Sequence, residues 1–327
     1  MSNLERDPAE IVCAGTTLAD PATAVVILQP RDVPLGGPRA MGVRRTLPQR
    51  ERSLIGAWCF VDHYGPDDVS VTGGMVVPPH PHTGLQTASW LFAGEVEHRD
   101  SVGSLALVRP GELNLMTAGS GISHSEVSTP NTTALHGVQL WIALPDATRH
   151  QAPHFENHVI TPIRQGGATL HVFMGELAGH SAVAGGDTPL VGAQIDLAVG
   201  ATIELDLDPG FEHGVLVDTG AVRVAGAAVQ QNELGFLTAG PTGIRVENTG
   251  DSAARLLLLG GEPLGEQIVM WWNFIGRSHD EVAAFRAQWQ AEVIEGAAAA
   301  GRFGRVDYNG AALPAPMLPN VRLKPRR

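Results

Sequence analysis

Short apolar runs separated by Gly, Pro and Asp dominate the chain from about Ala24 to Leu144. The runs read AVVIL, GAWCFVDH, GGMVVPP, TASWLFAG, SLALVRPG and VQLWIALP. Runs of this length between turn-forming residues are typical of β-strands. We therefore expect an all-β domain in this part of the chain.

A polar, histidine-rich stretch from Pro145 to Gly167 interrupts this rhythm, and strand-like runs resume after it. In the run ATIELDLD, the apolar residues Ile203, Leu205 and Leu207 alternate with charged residues, as a half-buried strand requires. The polar stretch therefore predicts a linker, and the later runs predict a second β domain.

Two similar segments indicate that the two domains are related. Residues 115–119 read LMTAG and residues 236–240 read FLTAG, and each segment is followed closely by a Gly-Ile pair. Such an internal repeat fits a duplicated β-barrel. The expected organisation is an N-terminal arm (1–23), a first barrel (24–145), a linker (146–166), a second barrel (167–265) and a C-terminal helix and tail (266–327).

One helix is predicted late in the chain. Ser278 is a favourable N-cap residue, Glu281 stands three positions on, and Val282, Phe285 and Trp289 then share one helical face. An apolar face of this kind indicates a helix that docks on a barrel. The segment after residue 297 is rich in Gly and Pro, and we expect it to form a loose arm.

Composition favours a small molecule as the binding partner. The net charge of -12 argues against non-specific binding to nucleic acid or to an anionic membrane surface. The two cysteines are too few for a disulfide framework, and the first twenty residues contain acids and no continuous apolar core. We expect a cytoplasmic protein with no membrane partner and no direct nucleic-acid partner.

Two pairs of side chains carry the strongest chemical signal. His80 and His82 are two residues apart, and on a strand this spacing points both imidazoles to one face. An isolated pair more often marks two surface histidines. A second pair with the same spacing, His124 and Glu126, makes a metal site the better interpretation. Three imidazoles and one carboxylate suit a divalent Fe, Mn, Ni, Cu or Zn ion.

The second half of the chain has no comparable pair between residues 190 and 220. In the internal repeat, Val246 stands where the first half has His124. The second barrel is therefore predicted to be metal-free.

Longer segments around these residues resemble the pirin family of the cupin superfamily. The segments are VRRTLPQRERSLIGAWCFVDHYGP, HPHTGLQTASWLFAGEVEHRD, LNLMTAGSGISHSE, HGVQLWIALP and GGEPLGEQIVMWWNFIGRSHDEVAAF, and they run from roughly residue 43 to residue 285. The resemblance implies a double cupin, in which two antiparallel β-sandwich domains pack together and the N-terminal one holds a single metal, usually iron. The family's metal ligands, carried over, fall on His80, His82, His124 and Glu126.

Two positions depart from the family pattern. Gln86 stands where Glu is common, and Thr83 stands where Arg is common. Gln86 cannot act as a carboxylate base, although its amide can orient water or a ligand. Glu126 is therefore the predicted catalytic base.

Other polar residues have simpler interpretations. His98, His136 and His171 lie in strand-like runs and are expected to be packed or capping histidines. The adjacent pair Asp62 and His63 is expected to form a structural turn in preference to a catalytic site.

The resemblance supports two classes of function. Pirins that are quercetin 2,3-dioxygenases open a flavonol ring with O2 and release carbon monoxide, which implies a flavonol-like substrate and Fe(II) as the expected metal. Other pirins bind transcription regulators or metabolic enzymes, and the redox state of their metal alters the surface that they present. A different small-molecule oxygenase or hydrolase on the same metal is a third alternative, because fold does not fix function. Of these functions, the resemblance favours the dioxygenase.

Overall fold

The structure is a computed structural model that describes residues 25–35, 41–296 and 301–325. The expected N-terminal arm, residues 1–23, lies outside the described residues. The described chain consists mainly of antiparallel strands in two barrel-like domains, followed by a helix. The prediction of an all-β double cupin with a C-terminal helix is confirmed.

Each domain pairs a large sheet with a small one. The strands up to residue 159 are β1 (Val26–Leu28), β2 (Arg31–Leu35), β3 (Met41–Leu47), β4 (Trp58–Asp68), β5 (Val76–His82), β6 (Leu85–Ala93), β7 (Val96–Asp100), β8 (Leu105–Val108), β9 (Glu112–Thr117), β10 (Ile122–Ser128), β11 (Ala134–Ala143) and β12 (His154–Val159). In the first domain, the seven-stranded sheet has the order β12-β9-β6-β11-β4-β3-β2, and the four-stranded sheet has the order β5-β10-β7-β8.

The second domain repeats this arrangement. The later strands are β13 (Ile163–Gln165), β14 (Ala168–Met174), β15 (Glu176–Leu177), β16 (His180–Ser181), β17 (Leu190–Leu197), β18 (Thr202–Asp206), β19 (Glu212–Thr219), β20 (Val222–Val224), β21 (Ala227–Val229), β22 (Leu234–Leu237), β23 (Gly243–Asn248), β24 (Ala254–Gly261), β25 (Val269–Trp271) and β26 (Phe274–Gly276). Its sheets have the orders β1-β22-β19-β24-β17-β14-β13 and β18-β23-β20-β21. The orders correspond strand by strand to those of the first domain, which supports the duplication.

Two edge strands differ from the expected domain boundaries. Strand β1 belongs to the segment expected in the first barrel, yet it pairs with β22 of the second, with Val26 opposite Phe236. Strand β12 lies in the expected linker, yet it pairs with β9 of the first barrel, with Phe155 opposite Met116. The polar sequence of β12 suits a largely exposed edge strand, and this composition is why the sequence indicated a linker.

The two large sheets pack against each other through apolar side chains. The ring of Trp90 in the first domain stacks on Phe173 in the second, with centroids 4.9 Å apart, and its Nε1 donates to Gln194 Oε1 at 2.7 Å. Trp58 Nε1 likewise donates across the interface to the Gly260 carbonyl at 3.0 Å. The large sheet of the first domain is consequently buried on both faces.

Apolar side chains fill the interior of the second barrel. Ile203 and Leu205 point inward from β18, and Val246 of β23 lies opposite Ile203 in the same apolar cluster. Strand β23 occupies the place that β10 has in the first domain. The metal-free second barrel stays a prediction.

Two α-helices are described, α1 (Val69–Thr72) and α2 (His279–Trp289), and a π-helical turn, Gln290–Ile294, extends α2. Ser278 Oγ accepts a hydrogen bond from the Glu281 amide at 3.2 Å, which confirms the predicted N-cap. Val282, Phe285 and Trp289 are buried, as the apolar face requires. Within residues 25–35, 41–296 and 301–325, no helix is long and apolar enough to cross a membrane.

The prediction of a loose C-terminal arm is wrong for residues 301–325. Phe303 is fully buried, and the Leu313 amide donates to the Pro79 carbonyl at 2.8 Å. Ser123 Oγ donates to the Phe303 carbonyl, also at 2.8 Å. The arm therefore packs against β5 and β10. Its apolar residues follow neither a helical nor a strand period, so the pattern could not predict their burial.

We expect Trp289→Ala to lower the free energy of unfolding by about 3 to 5 kcal/mol, because the change leaves a cavity under the arm. The same change removes the hydrogen bond from Trp289 Nε1 to the Leu313 carbonyl. Urea unfolding followed by circular dichroism measures the difference. Met317→Ala is the matched control, since Met317 lies in the same arm and is 83% exposed. Similar losses in the two variants would show that the arm is not packed.

Candidate metal centre

Neighbouring strands of the small sheet bring three histidines together. His80 and His82 lie at the end of β5, and His124 lies on β10. The strands are antiparallel, with His124 directly opposite His80. One ring nitrogen from each residue lies within 4.8 Å of the others, and all three side chains are fully buried. Part of the predicted ligand set is therefore assembled in the first barrel.

The ring nitrogens of this group are arranged as metal ligands require. His80 Nδ1 lies 3.0 Å from the Pro78 carbonyl, to which it can donate only when protonated. That bond leaves the lone pair on His80 Nε2, which has no hydrogen-bond partner among the described residues. His82 Nε2 and His124 Nε2 approach to 3.1 Å. A backbone acceptor that fixes the tautomer of an imidazole is a regular feature of metal-binding histidines.

The electrostatics favour neutral imidazoles. Burial, and then the charges of neighbouring groups, lower the pKa values of His80, His82 and His124 well below the ordinary histidine value. These histidines are consequently unprotonated at neutral pH. The neutral ring is the form that binds a metal.

Glu126, the fourth predicted ligand, lies in the same part of the barrel. It follows His124 by two residues on β10 and is 2% exposed. Its carboxylate is not within 4.8 Å of every ligand atom of the three histidines, so it falls outside their group in the described chain. Burial raises the pKa of Tyr64, and the negative charges of Glu126 and Asp62 raise it further. Strand β10 pairs with β7 without a register shift from His124 to Glu126, so the two side chains lie on the same face of the small sheet.

A second layer of polar contacts supports His124. His98 Nδ1 lies 3.3 Å from His124 Nδ1, and His98 Nε2 lies 3.2 Å from Asp100 Oδ2. The Asp100 carboxylate also accepts from the amides of Val102 and Ser104. His98 was expected to be an ordinary packed histidine. The spacing of His98 and Asp100, two residues apart on β7, is the signal that could have linked them to the site.

Gln86 lies on the other face of the large sheet. It is in register with Thr117 and Ile142, and its Nε2 donates to Thr117 Oγ1 at 2.9 Å. Ile142 belongs to the apolar cluster between the domains, whereas the next residue of β6, Thr87, is in register with Trp141 beside His82. Because alternate strand residues face opposite sides, the side chain of Gln86 points away from the histidines. It does not orient a ligand at this site.

A second group of potential metal ligands joins the two domains. His63 and His136 of the first domain each place Nε2 near Asp218 Oδ1 of the second, at 2.7 and 2.6 Å. Arg255 donates to the other oxygen of Asp218 at 3.3 Å. The carboxylate is thus already hydrogen-bonded to two imidazoles and a guanidinium. Since a divalent ion would have to bind beside that cation, we interpret the group as a hydrogen-bond network between the domains.

Asp62 and His63 do not form a turn, so that prediction is wrong. Both lie inside β4, where they point to opposite faces. Asp62 forms a two-point salt bridge with Arg45, with N to O distances of 2.7 and 2.8 Å, while His63 reaches Asp218. Because neighbouring side chains of β4 point to opposite faces, Asp62 serves the barrel interior and His63 serves the interface between the domains.

Family models match both domains. The Pirin model matches residues 40–142, and the model of the Pirin C-terminal cupin domain matches residues 192–295. The chain belongs to the pirin family. The four predicted metal-site residues of this pirin lie inside the first match.

Similar pirins and related structures cover most of the chain. A Pseudomonas aeruginosa protein named "Putative quercetin 2,3-dioxygenase" is 44% identical over 88% of this chain and 89% of its own length. A crystal structure of a quercetin 2,3-dioxygenase from Acinetobacter baumannii has a TM-score of 0.84 and 37% identity, and covers 91% of this chain and 97% of its own. The pirin YhhW from Escherichia coli, in complex with nickel(II), has a TM-score of 0.57 and 19% identity over 73% of this chain and its full length.

The network between the domains predicts a pH-dependent stability. Burial alone would raise the pKa of the Asp218 carboxyl, but hydrogen bonds from His136 and His63 outweigh it and hold the pKa well below its ordinary value. The resulting stabilisation is present above about pH 4, the ordinary aspartate pKa, and is lost as the pH falls further. Asp218→Asn should therefore lower the free energy of unfolding at pH 7 by about 3 kcal/mol and flatten its decline in acid.

Urea unfolding at pH 7, 4 and 3 measures both effects. Asp196→Asn is the matched control, since Asp196 pairs with the same Arg255 at 3.1 Å but is about one-third exposed. An acid decline equally steep in Asp218→Asn and in the unmodified protein would contradict the assignment.

Proposed function

We propose that the protein is a metal-dependent dioxygenase of the quercetin 2,3-dioxygenase type, with one divalent metal bound by His80, His82, His124 and Glu126. The observation that carries the proposal is the convergence of three fully buried imidazoles inside the first barrel. Relatives named as quercetin 2,3-dioxygenases support the reaction class.

The residues present fit a metal. His80 Nε2 is a buried lone pair without a hydrogen-bond partner in the described part of the chain, and such a nitrogen is costly to bury unless something binds it. The three histidines and Glu126 form a mixed nitrogen and oxygen set. Fe(II) is the first candidate and Mn, Ni, Cu and Zn are the alternatives. The nickel(II) complex of the E. coli pirin supports a divalent ion in this fold.

A bound metal supplies Lewis-acid stabilisation of a substrate oxyanion and access to O2 chemistry. The protein supplies position and proton transfer. The two antiparallel strands hold the three histidines, His98 contacts the ring of His124, and the Pro78 carbonyl accepts from the ring of His80. The Glu126 carboxylate is the group that accepts the proton of the flavonol 3-hydroxyl. The Trp141 ring lies 5.1 Å from the His82 ring and stacks on Phe60 with centroids 4.0 Å apart. These two aromatic rings place apolar surface beside the histidines and exclude water there.

A flavonol reaches this site only if covering side chains move, because the histidines have no exposed surface. The hairpin of β25 and β26 lies next to them: Ile268, Met270 and Ile275 pack in one apolar cluster with Trp141. This hairpin is the element whose movement we expect to admit the substrate.

Complete burial of the histidines also favours the second candidate function. A redox-responsive regulator needs no substrate at its metal, and it would act on a protein partner through its surface. The two functions differ in a measurable way, since only the dioxygenase consumes O2 in the presence of a flavonol.

The metal assignment predicts one equivalent of metal per chain, measured by mass spectrometry of metals in protein purified without chelator or nickel affinity resin. The double variant His80→Ala, His124→Ala should lose stoichiometric binding and unfold at lower temperature than the metal-bound protein. His136→Ala is the control and should keep the metal, since His136 serves Asp218. A double variant that retained a full equivalent would disprove the assignment.

The catalytic assignment predicts that Glu126→Gln retains most of the metal but lowers kcat for quercetin-dependent O2 uptake by about 10² to 10⁴-fold, the usual contribution of a general base. Glu97→Gln, on the neighbouring strand β7, should leave the rate unchanged. If the unmodified protein, fully loaded with iron, manganese, nickel or copper, showed no quercetin-dependent O2 uptake, the regulator would replace the dioxygenase.

A further inference from the structure

Polar side chains form a continuous row across the large sheet of the first domain. Each member is directly opposite the next on the neighbouring strand, from β3 through β4, β11, β6 and β9 to β12. The row, which we name the polar ladder, consists of Arg45, Asp62, Gln139, Ser89, Asn114 and Asn157. Residues in lateral register share one face of a sheet, so all six side chains lie on one face.

That face is the interior face of the barrel. A second row of side chains runs beside the polar ladder on the same face, two residues away along each strand. It contains Phe60, Trp141, Met116 and Phe155. The ring of Trp141 lies 5.1 Å from that of His82, and the ring of Phe155 stacks on His98 at 4.5 Å. Two residues span about 7 Å along a strand. The polar ladder therefore lies one side-chain row from the side chains that contact the histidine group.

The hydrogen bonds of the ladder leave two amides half satisfied. Arg45 and Asp62 satisfy each other, Ser89 Oγ donates to Gln139 Oε1 at 2.8 Å, and Asn157 Nδ2 donates to Asn114 Oδ1 at 3.0 Å. Gln139 Nε2 and Asn114 Nδ2 have no partner among the residues that the structure describes. Their side chains are 1% and 3% exposed. Rotating either amide by half a turn exchanges its nitrogen and oxygen positions. Each amide therefore has one polar atom without a hydrogen-bond partner among the described residues in either orientation.

We propose that Gln139 and Asn114 bind phenolic hydroxyl oxygens on the outer rings of an aromatic ligand held at the histidine group, and thereby select for hydroxylated rings. The inference rests on the proposed flavonol dioxygenase and names the residues that give it specificity. An unpaired buried amide costs free energy, which a ligand oxygen recovers. The neighbouring aromatic row supplies faces for a flat ring system.

The charge of the ladder argues for a neutral oxygenated ligand. Its cation, Arg45, is already paired with Asp62 and lies 4.3 Å from the Phe60 ring centroid. The amides of Gln139 and Asn114 carry no charge. A carboxylate or a phosphate would find no unneutralised cation along the ladder, whereas phenolic hydroxyls match its amides.

The ladder also leads toward the surface. Asn157, its outermost member, is exposed on the edge strand β12, while Asn114 beside it is buried.

The experiment measures anaerobic binding of quercetin and of 3-hydroxyflavone to the metal-loaded protein by quenching of tryptophan fluorescence. 3-Hydroxyflavone keeps the 3-hydroxyl and the carbonyl of quercetin but lacks its other hydroxyls. Gln139→Met and Asn114→Leu remove the amides at similar side-chain size. Each should raise the Kd of quercetin about fivefold to tenfold, the effect of one lost hydrogen bond, and leave the Kd of 3-hydroxyflavone within about twofold. Metal content should not change.

Gln86→Met is the matched control. Gln86 is the same residue type, is 3% exposed, and also leaves one amide atom, Oε1, without a partner in the described chain. Its side chain points to the opposite face of the sheet, so both Kd values should be unchanged. Thermal unfolding of each variant checks that the fold is retained.

The possible outcomes distinguish a failure of the ligand-binding role proposed for the two amides from a failure of the proposed dioxygenase function. One outcome is unchanged quercetin binding in Gln139→Met and Asn114→Leu while the unmodified protein turns quercetin over. That outcome would show that the two amides bind only structural water, and it would overturn their proposed role in ligand binding but not the proposed function. Equal weakening for both flavonols would also overturn that role, because the change would then reflect a deformed pocket. Failure of the unmodified metal-loaded protein to bind or oxidise quercetin would overturn the proposed function and the ladder together.

Discussion

Burial of the large sheet of the first domain on both faces is the constraint on which the rest of the structure depends. One face lines the barrel interior and the other packs on the second domain, so most side chains of the central strands β4, β6 and β11 are buried. Strand alternation then sends adjacent residues to different environments: Asp62 pairs with Arg45 inside the barrel, while His63 pairs with Asp218 across the interface. Every buried polar side chain in these strands must find a protein partner, a ligand or an ordered water.

Two groups of buried histidines meet that requirement in different ways: one group is hydrogen-bonded within the protein, and the other is a candidate metal site. His63 and His136 converge on a carboxylate that is also held by Arg255, so their nitrogens have fixed partners. Among the described residues, the group of His80, His82 and His124 contains no carboxylate, and one ring nitrogen from each histidine lies within 4.8 Å of the others. The same residue type is a domain connector in one place and a candidate ligand in the other, because the charge beside it differs.

The second domain supports the first in ways that need no chemistry of its own. It supplies the opposite side of the apolar interface, and it accepts β1 at the edge where the first domain uses β12. The C-terminal arm returns to the first domain and packs behind the strands that carry the histidines, through contacts at Pro79 and Ser123. The small sheet is thereby fixed from its outer side while its inner side remains available to a ligand.

The sequence by itself determined what depends on local spacing. Period-two alternation and regular turns indicated two β-barrels, the positions of His80, His82 and His124 indicated convergent imidazoles, and Ser278 indicated the start of the helix. These features follow from geometry within a few residues, which strands and caps repeat in every protein.

Only the tertiary structure decided which distant residues meet. His63 and Asp218 are 155 positions apart, and the sequence around either residue does not predict that they form a hydrogen bond. Gln86 stands at a position that departs from the family pattern, yet sheet register turns its side chain away from the histidines, while Gln139, which no spacing pattern singles out, faces their side of the sheet. Strand pairing and sheet register fix such contacts, and a shift of one residue would exchange the two faces. The face on which a side chain lies is therefore a property of the assembled sheet and not of the local sequence.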